Sequence, residues 1–475
     1  MLKKRTDFDD RYERCRQDIR SQITGMTLQP GDFLLSEITL SKLYNMSRDS
    51  VRKVLAELEN EGLIEKIPGK GNRIREPEYW KEQTALKLVC FGDSYEKPIL
   101  ERLITVFERD NPDIRITLSL VSENGYAEYL SEKLRDGDAH DLMVISDLHY
   151  RYFADAGLLD ELLPSERSEW SDGDELYPEA MRLFEEGELL RAIPFVFSPV
   201  VYVVNKKLVP NAAEWQVRNW DELLAFARRH TIREDGQTVR QYGFGFTITN
   251  NRWPQFLLQN GGGVYDREGR SLFSSPETVE AFGYCLDLMF QQEVSPASIY
   301  GGTRIVEDLF MADKVAMIIG TYHFMNEFGA HFRDWDVVPV VPGNKRPATL
   351  LIGGALAVSA RSPNAAAAKR FIRFVTGTYA QEQLKRHGCT IPVRRRVAED
   401  RTLFNPALHP EHYHAFVDML PYSYAIRDLG IGQGLLDEMQ KRLVLMWMKM
   451  EQPEEAVKRI EKELLPGSAQ VRKKE

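Results

Sequence analysis

Residues 47–75 read SRDSVRKVLAELENEGLIEKIPGKGNRIR. Val51, Val54, Leu55 and Leu58 recur at three- and four-residue intervals, which predicts an amphipathic helix with Ser47 as cap and Gly62 as stop. Residues 63–67, a Pro68-Gly69-Lys70-Gly71 tip and residues 72–75 then read as a two-stranded hairpin. Towards the N-terminus, Asn45 and Met46 form a turn. Ser36 caps a short helix through Tyr44 with Leu40 and Leu43 on its buried side. Residues 28–32 (LQPGD) are a turn, and Tyr12, Ile19, Ile23 and Met26 share one face of a first helix that Gly25 ends. Three helices and a hairpin make a winged helix-turn-helix.

The polar side of the third helix carries the chemistry. Arg48, Asp49, Ser50, Arg52 and Lys53 cluster at its start. A helix N-terminus in a major groove offers free N–H groups to phosphate and lets arginine reach guanine edges. Lys70, Arg73 and Arg75 charge the wing, where Gly69 and Gly71 allow close approach to a minor groove.

The ordered set Pro30-Gly31-Asp32, Leu35-Ser36-Glu37, Met46-Ser47-Arg48, Ser50 to Leu55, Glu61-Gly62-Leu63-Ile64 and Gly69-Lys70-Gly71 resembles the DNA-binding module of the GntR family. The resemblance assigns Arg48, Ser50 and Arg52 to the major groove and phosphates, and Gly69-Lys70-Gly71 to the minor groove. Ser36, Ser47, Asp49, Lys53 and Arg73 complete the candidate DNA contacts. Leu35, Ile38 and Asp49 depart from the family pattern, and Asp49 would repel a phosphate or accept from a cytosine amine.

Charge is placed unevenly. Residues 1–80 hold 15 Lys and Arg against 14 Asp and Glu, whereas the chain of 475 residues has a net charge of −9. A protein that coats nucleic acid throughout is excluded, and DNA contact belongs near the N-terminus. The basic start, Lys3-Lys4-Arg5, runs into Asp7, Asp9 and Asp10 rather than an apolar core, so no export signal is expected. The longest apolar run, residues 192–204, is broken by prolines and is too short to span a bilayer, so no membrane partner is expected. Cys15, Cys90, Cys285 and Cys389 form no CxxC pair and read as buried thiols of a reducing compartment. A cytoplasmic location follows as the expectation.

Beyond a linker over 77–84, strand and helix alternate. Residues 86–91, 114–121 and 142–146 read as strands, with helices at 99–109 and 126–135 between them. This βαβαβ order predicts a parallel sheet with ligands at the carboxyl ends of its strands. Two such ends carry polar loops, Asp93-Ser94-Tyr95 and Ser146-Asp147. Residues 192–205 could cross from one lobe to another. Helices are expected at 220–230, 282–290 and 365–375 and within 435–465, with strands at 315–319 and 350–358.

This order resembles extracellular solute-binding protein family 1, the carbohydrate-binding components of ABC importers. The carrying stretches include Phe107 to Ile114, Gly137 to Val144, Ala156-Gly157-Leu158-Leu159, Ile193-Pro194, Val201 to Lys206, Trp220-Asp221-Glu222-Leu223, Phe310 to Met317 and Ile391 to Arg394. The resemblance implies an α/β fold overall: a winged helix-turn-helix at 8–76, then a type II periplasmic-binding-protein-like domain at 85–467 whose two lobes close on a ligand.

Sugar sites pair aromatic platforms with carboxylates and amides. The candidate ligand residues are Asp93, Ser94, Tyr95, Asp147, Phe197, Tyr202, Asn250, Trp253, Tyr322, Gly353, Gly354 and Arg394. His409, His412 and His414 match no strong zinc spacing. No catalytic signature such as GxSxG or HExxH is present. Neither an enzyme activity nor a cofactor is expected. The expected partners are double-stranded DNA with a palindromic operator, a mono- or oligosaccharide effector and a second copy of the chain. A binding module with a non-sugar ligand, and an enzyme fused to a DNA reader, are the alternatives.

Overall fold

The computed structural model describes residues 11–465 apart from 13–14, 17, 21, 24–27, 29–30, 76–82, 93–95, 138–139, 171–175, 237, 267 and 298–303. Gly25, Met26, nearly all of the expected linker, and the candidates Asp93, Ser94 and Tyr95 lie outside the described residues.

The N-terminal region contains a first helix, α1, described at residues 11–12, 15–16, 18–20 and 22–23, then α2 (Glu37–Leu43), α3 (Arg48–Asn60) and the antiparallel wing strands β1 (Ile64–Ile67) and β2 (Gly71–Ile74). Ser36 accepts from the Thr39 N–H at 3.2 Å, and Ser47 from the Ser50 N–H at 3.1 Å. Each cap satisfies a donor that the first helical turn leaves without a partner. Gly62, at φ +75°, ends α3. Its N–H reaches the Glu59 carbonyl, and the Leu63 N–H reaches the Leu58 carbonyl at 3.0 Å, a Schellman closure with both leucines buried. Cys15, Ile19, Ile23, Leu40, Val51, Val54, Leu55 and Leu58 form the core, closed by Ile64 and Ile74 of the wing. Leu43, expected on the buried side, is exposed, because the helix ends there and its side chain falls beyond the stripe that meets α3.

Among its described residues, the remaining chain builds two large sheets, one in each lobe, and a small three-stranded one of Ser165–Glu166, Leu189–Leu190 and Glu185–Glu186. In the first, β3 (Thr84–Phe91) lies parallel to both β4 (Ile114–Val121) and β5 (Leu142–Ser146), as the βαβαβ pattern requires. α4 (Lys97–Asp110) and α5 (Tyr126–Asp136) are the crossovers, and α6 (Asp147–Asp155) follows β5 directly. The sheet then departs from the parallel expectation: Thr349–Val358 runs antiparallel to β5 and to Ile193–Pro199. The second sheet has the order Ile232–Glu234, Thr238–Gly245, Val315–Gly320, Val201–Asn205, Trp335–Val337.

The run 193–205 is the first crossing between lobes. Ile193–Pro199 pairs in one sheet and Val201–Asn205 in the other, while the Val200 N–H between them donates to the Leu350 carbonyl at 2.7 Å. Both pieces are fully buried, which is why the sequence shows a continuous apolar run rather than alternation. The chain returns between Trp335–Val337 and Thr349–Val358. It crosses a third time after Ser423–Tyr424 to reach the helices Gln433–Arg442 and Pro453–Leu464, which pack into the second lobe. Among the described residues no helix is long and apolar enough to cross a membrane.

Candidate functional site

On the N-terminal module the polar groups stand outward. Arg48 and Asp49 open α3, so their N–H groups have no acceptor within the helix. The side chains of Arg48, Lys53 and Lys70 are exposed and make no hydrogen bond or ion pair among the described residues. Arg52 is held: its guanidinium meets Glu37 at 2.9 Å and Asp49 at 3.2 Å. Arg73 is paired with Glu65 across the wing at 2.8 Å. The i,i+3 spacing of Asp49 and Arg52 was readable, but Glu37 reaches Arg52 only through the turn between α2 and α3.

Ser36 and Ser47 are caps whose hydroxyls are already engaged. Ser50 corrects the sequence reading. It is buried and its hydroxyl lies 2.7 Å from that of Ser47, so it supports the cap instead of facing a groove. Gly69 and Gly71 have φ of +76° and +111°, the left-handed region in which side chains are strained. The tip therefore requires glycine for its backbone.

The second site lies between the lobes. Asp147 begins α6 under the Ser146 cap and ion-pairs with Arg151 one turn later; their side chains are 7% and 11% exposed. Arg151 donates to Gln433 Oε1 at 2.9 and 3.1 Å. Gln433 donates to Asp437 at 2.7 Å, and Asn250 donates to the same carboxylate oxygen at 2.6 Å. The chain Asp147–Arg151–Gln433–Asp437–Asn250 thus runs from the first lobe through the last crossing into the second. Burial pushes the Asp437 carboxyl above the usual range, although Gln433 and Asn250 pull it back. Gln433 and Asp437 were missed because the sequence offers only an ordinary amphipathic helix there.

Tyr322 opens the helix Tyr322–His331 of the second lobe. Its phenol is pushed up mainly by burial and then by Glu96 and Asp147, both carboxylates of the first lobe, so the two lobes approach closely at this point. Beside it, Arg252 and Glu307 form an almost fully buried pair at 3.6 Å. Burial and Arg252 hold His323 down to about 4. Thr247 Oγ1, Asn250 Oδ1 and Gln255 Nε2 are buried without a hydrogen-bond partner near the end of the strand Thr238–Gly245. Polar atoms left so are normally met by water or ligand. The arrangement suits a small hydroxylated solute.

The structure therefore brings together Asp147, Asn250 and Tyr322, with Gly353 donating its N–H to Asp147 at 3.2 Å. It does not bring in four others. Phe197 packs on Tyr177 in the first lobe, and Tyr202 on Phe244 in the second. Trp253 packs on Phe282 and donates to Gln440 at 2.6 Å. Arg394 is buried and donates to the Thr376 carbonyl. These lie on fully buried strands or helix faces, where an aromatic or an arginine stem serves packing. Gly353 and Gly354 serve strand packing too: a Cβ at Gly353 would lie 2.8 Å from Leu183, and one at Gly354 3.0 Å from Val196. The histidines are apart in role, His409 accepting from Asn405 and bonding to carbonyls while His412 pairs with Asp336. No cluster of three metal-ligating side chains exists among the described residues.

Two families match the chain. Bacterial extracellular solute-binding protein covers residues 91–382, and the gntR family of bacterial regulatory proteins covers residues 11–74. An ABC transporter periplasmic-binding protein of Escherichia coli K12, YcjN, is 22% identical over 318 residues, 64% of this chain and 71% of that protein. The arabinose metabolism transcriptional repressor of Geobacillus stearothermophilus is 32% identical over 85 residues, 18% of this chain and 23% of the repressor. The Listeria monocytogenes substrate-binding protein Lmo0181, solved with cycloalternan, superposes with a TM-score of 0.67 at 22% identity, covering 80% of this chain and 98% of its own. That likeness is one of fold: a type II periplasmic-binding-protein architecture.

Proposed function

We propose that this chain, which belongs to the bacterial extracellular solute-binding protein family and carries a gntR-family regulatory domain at its N-terminus, is a carbohydrate-responsive DNA-binding transcription regulator of the cytoplasm. The observation that carries the reading is one polypeptide holding a winged helix-turn-helix reader and a two-lobed α/β clamp. A reader with Arg48, Lys53 and Lys70 exposed and unpaired has no use in a transport component. A clamp with a polar chain between its lobes has no use in a constitutive repressor. The carbohydrate assignment rests on the unpaired polar atoms near the cleft, on a repressor relative named for arabinose metabolism and on a fold neighbour solved with cycloalternan.

In this reading Arg48 reaches a guanine edge, Lys53 and Lys70 meet phosphates, and the Gly69–Gly71 tip enters the minor groove. Arg52, restrained by Glu37 and Asp49, is pre-oriented for its contact. Two copies would occupy half-sites roughly 34–36 Å apart on a palindromic operator. A sugar bound between the lobes shifts operator affinity only as far as its own affinity differs between the two states.

The test is a gel shift of the full chain at fixed salt on duplexes from its own genomic neighbourhood, with and without a panel of mono- and oligosaccharides. One duplex is expected to bind preferentially, with an affinity that one sugar changes. Equal binding to every duplex, sugar or no sugar, sinks the proposal.

A further inference from the structure

Between α6 and residues 425–432 lies a cavity of about 220 Å³. Its walls are Ala154, Leu159, Leu183 and Ile431, and its floor includes Tyr150. One side belongs to the first lobe and the other to residues 425–432, the third crossing.

The charges around it are spoken for. Arg151 is held by Asp147 and Gln433. Arg427 donates to the carbonyls of Arg182 and Glu185 at 2.9 and 2.8 Å. Asp155 accepts from the Gly434 N–H at 2.6 Å, Glu185 pairs with Arg167, and Glu186 faces Arg191 at 3.3 Å. One polar group remains. Tyr150 is 4% exposed, and its hydroxyl is buried with no hydrogen-bond partner. The charges that act on this hydroxyl include Arg427, Glu185 and Glu186, all residues of the cavity lining, which places it on the cavity side. A buried hydroxyl without a partner is costly, and native proteins tend to keep one only where something else completes it.

We propose that this cavity, which borders the interlobe polar chain at Arg151, is a second small-molecule site for a compact neutral molecule with an apolar body and one acceptor oxygen that takes the Tyr150 hydrogen. Neutrality follows from the rim, whose charged groups already have partners among other side chains and the backbone. The apolar body follows from the aliphatic walls, and the single acceptor from the single unmet donor. Because the occupant touches both α6 and the third crossing, it would stiffen the junction that Arg151 and Gln433 already bridge. The inference stands whether or not the interlobe ligand is a sugar.

Cyclohexanone, a neutral ring with one carbonyl, is the probe. Saturation-transfer NMR on the full chain at tens of millimolar is expected to show binding. Leu183→Trp, which fills the cavity, should abolish it. Tyr150→Phe should weaken it about fivefold, the worth of one hydrogen bond. Without probe, Tyr150→Phe should not lower the melting temperature, since no bond is lost. Absence of transfer to the parent chain overturns the proposal. So does equal binding by Tyr150→Phe, which keeps the test decisive if Leu183→Trp does not fold.

Discussion

The N-terminal reader and the interlobe cleft present their polar residues in opposite ways. Arg48, Lys53 and Lys70 stand exposed with no partner among the described residues, while Asp147, Arg151, Gln433, Asp437 and Asn250 are engaged with one another across the lobes. The contrast follows from the size of what each would meet. Duplex DNA is larger than the reader and cannot be enclosed, so its contacts must wait on the surface at little desolvation cost. Under the proposed function a small solute would be enclosed, so the groups that would grip it lie between the lobes, where they bond to one another.

Acid should separate the two regions most strongly. All nine histidines lie beyond residue 139, so the reader has none. Burial holds His149, His323 and His409 at about 4, against an ordinary 6.5. His149 also accepts the Ser146 N–H on Nδ1 at 3.1 Å, which protonation would break. The native state therefore binds fewer protons than the unfolded chain between about 4 and 6.5. The stability these groups contribute is complete above 6.5 and is lost as pH falls towards about 4, at roughly 1.4 kcal/mol per histidine per pH unit. Tryptophan fluorescence reports the two-lobed domain and not the reader, since six of the seven tryptophans lie beyond residue 84 and the seventh, Trp80, falls in the expected linker. Its urea midpoint should drop steeply across that window while amide protection in α3 does not. Parallel loss in both regions would remove the contrast.

Next in size is Arg151→Met. It leaves the Asp147 carboxylate buried without its counter-ion, and about 3–5 kcal/mol of stability should go. Denaturant melts of the two-lobed domain measure it, and an unchanged midpoint would mean that the ion pair is solvated. Arg48→Ala should leave stability untouched and weaken operator binding by about 1–3 kcal/mol, with solute binding intact. A salt-controlled gel shift beside solute calorimetry reads both, and parent-like operator affinity would remove Arg48 from the interface. The smallest effect belongs to Gly69→Ala. Nothing lies within 4 Å of the added Cβ, so only the φ of +76° resists, at about 1 kcal/mol. Hydrogen exchange in the wing strands should show the loss, and the same exchange rates in both chains would argue that the tip relaxes to another turn.

The reader was more legible than the cleft. Its caps, turns and apolar stripes are local, and from Ser36 to Arg75 the expected elements stand where the pattern put them, apart from Leu43 and Ser50. The first βαβαβ unit was legible for the same reason. In the cleft, Asp147 and Asn250, polar residues that follow strand ends, are joined by one hydrogen-bonded chain. The sequence misled at Phe197, Tyr202, Trp253 and Arg394, because an aromatic in a buried strand looks the same on paper whether it faces a ligand or a core.

What the sequence determined alone is what rests on short-range forces: caps, helix periodicity, glycine-bearing turns, strand–helix alternation, and the placement of every histidine outside the reader. Tertiary structure alone decided which polar groups meet. Gln433 and Asp437 lie about three hundred residues from Asp147, and their bonds exist only because the third crossing lays one helix against another. Likewise the unmet Tyr150 hydroxyl becomes a feature only once packing has removed it from water. Burial and pairing are properties of the folded space around a side chain, which no local pattern encodes.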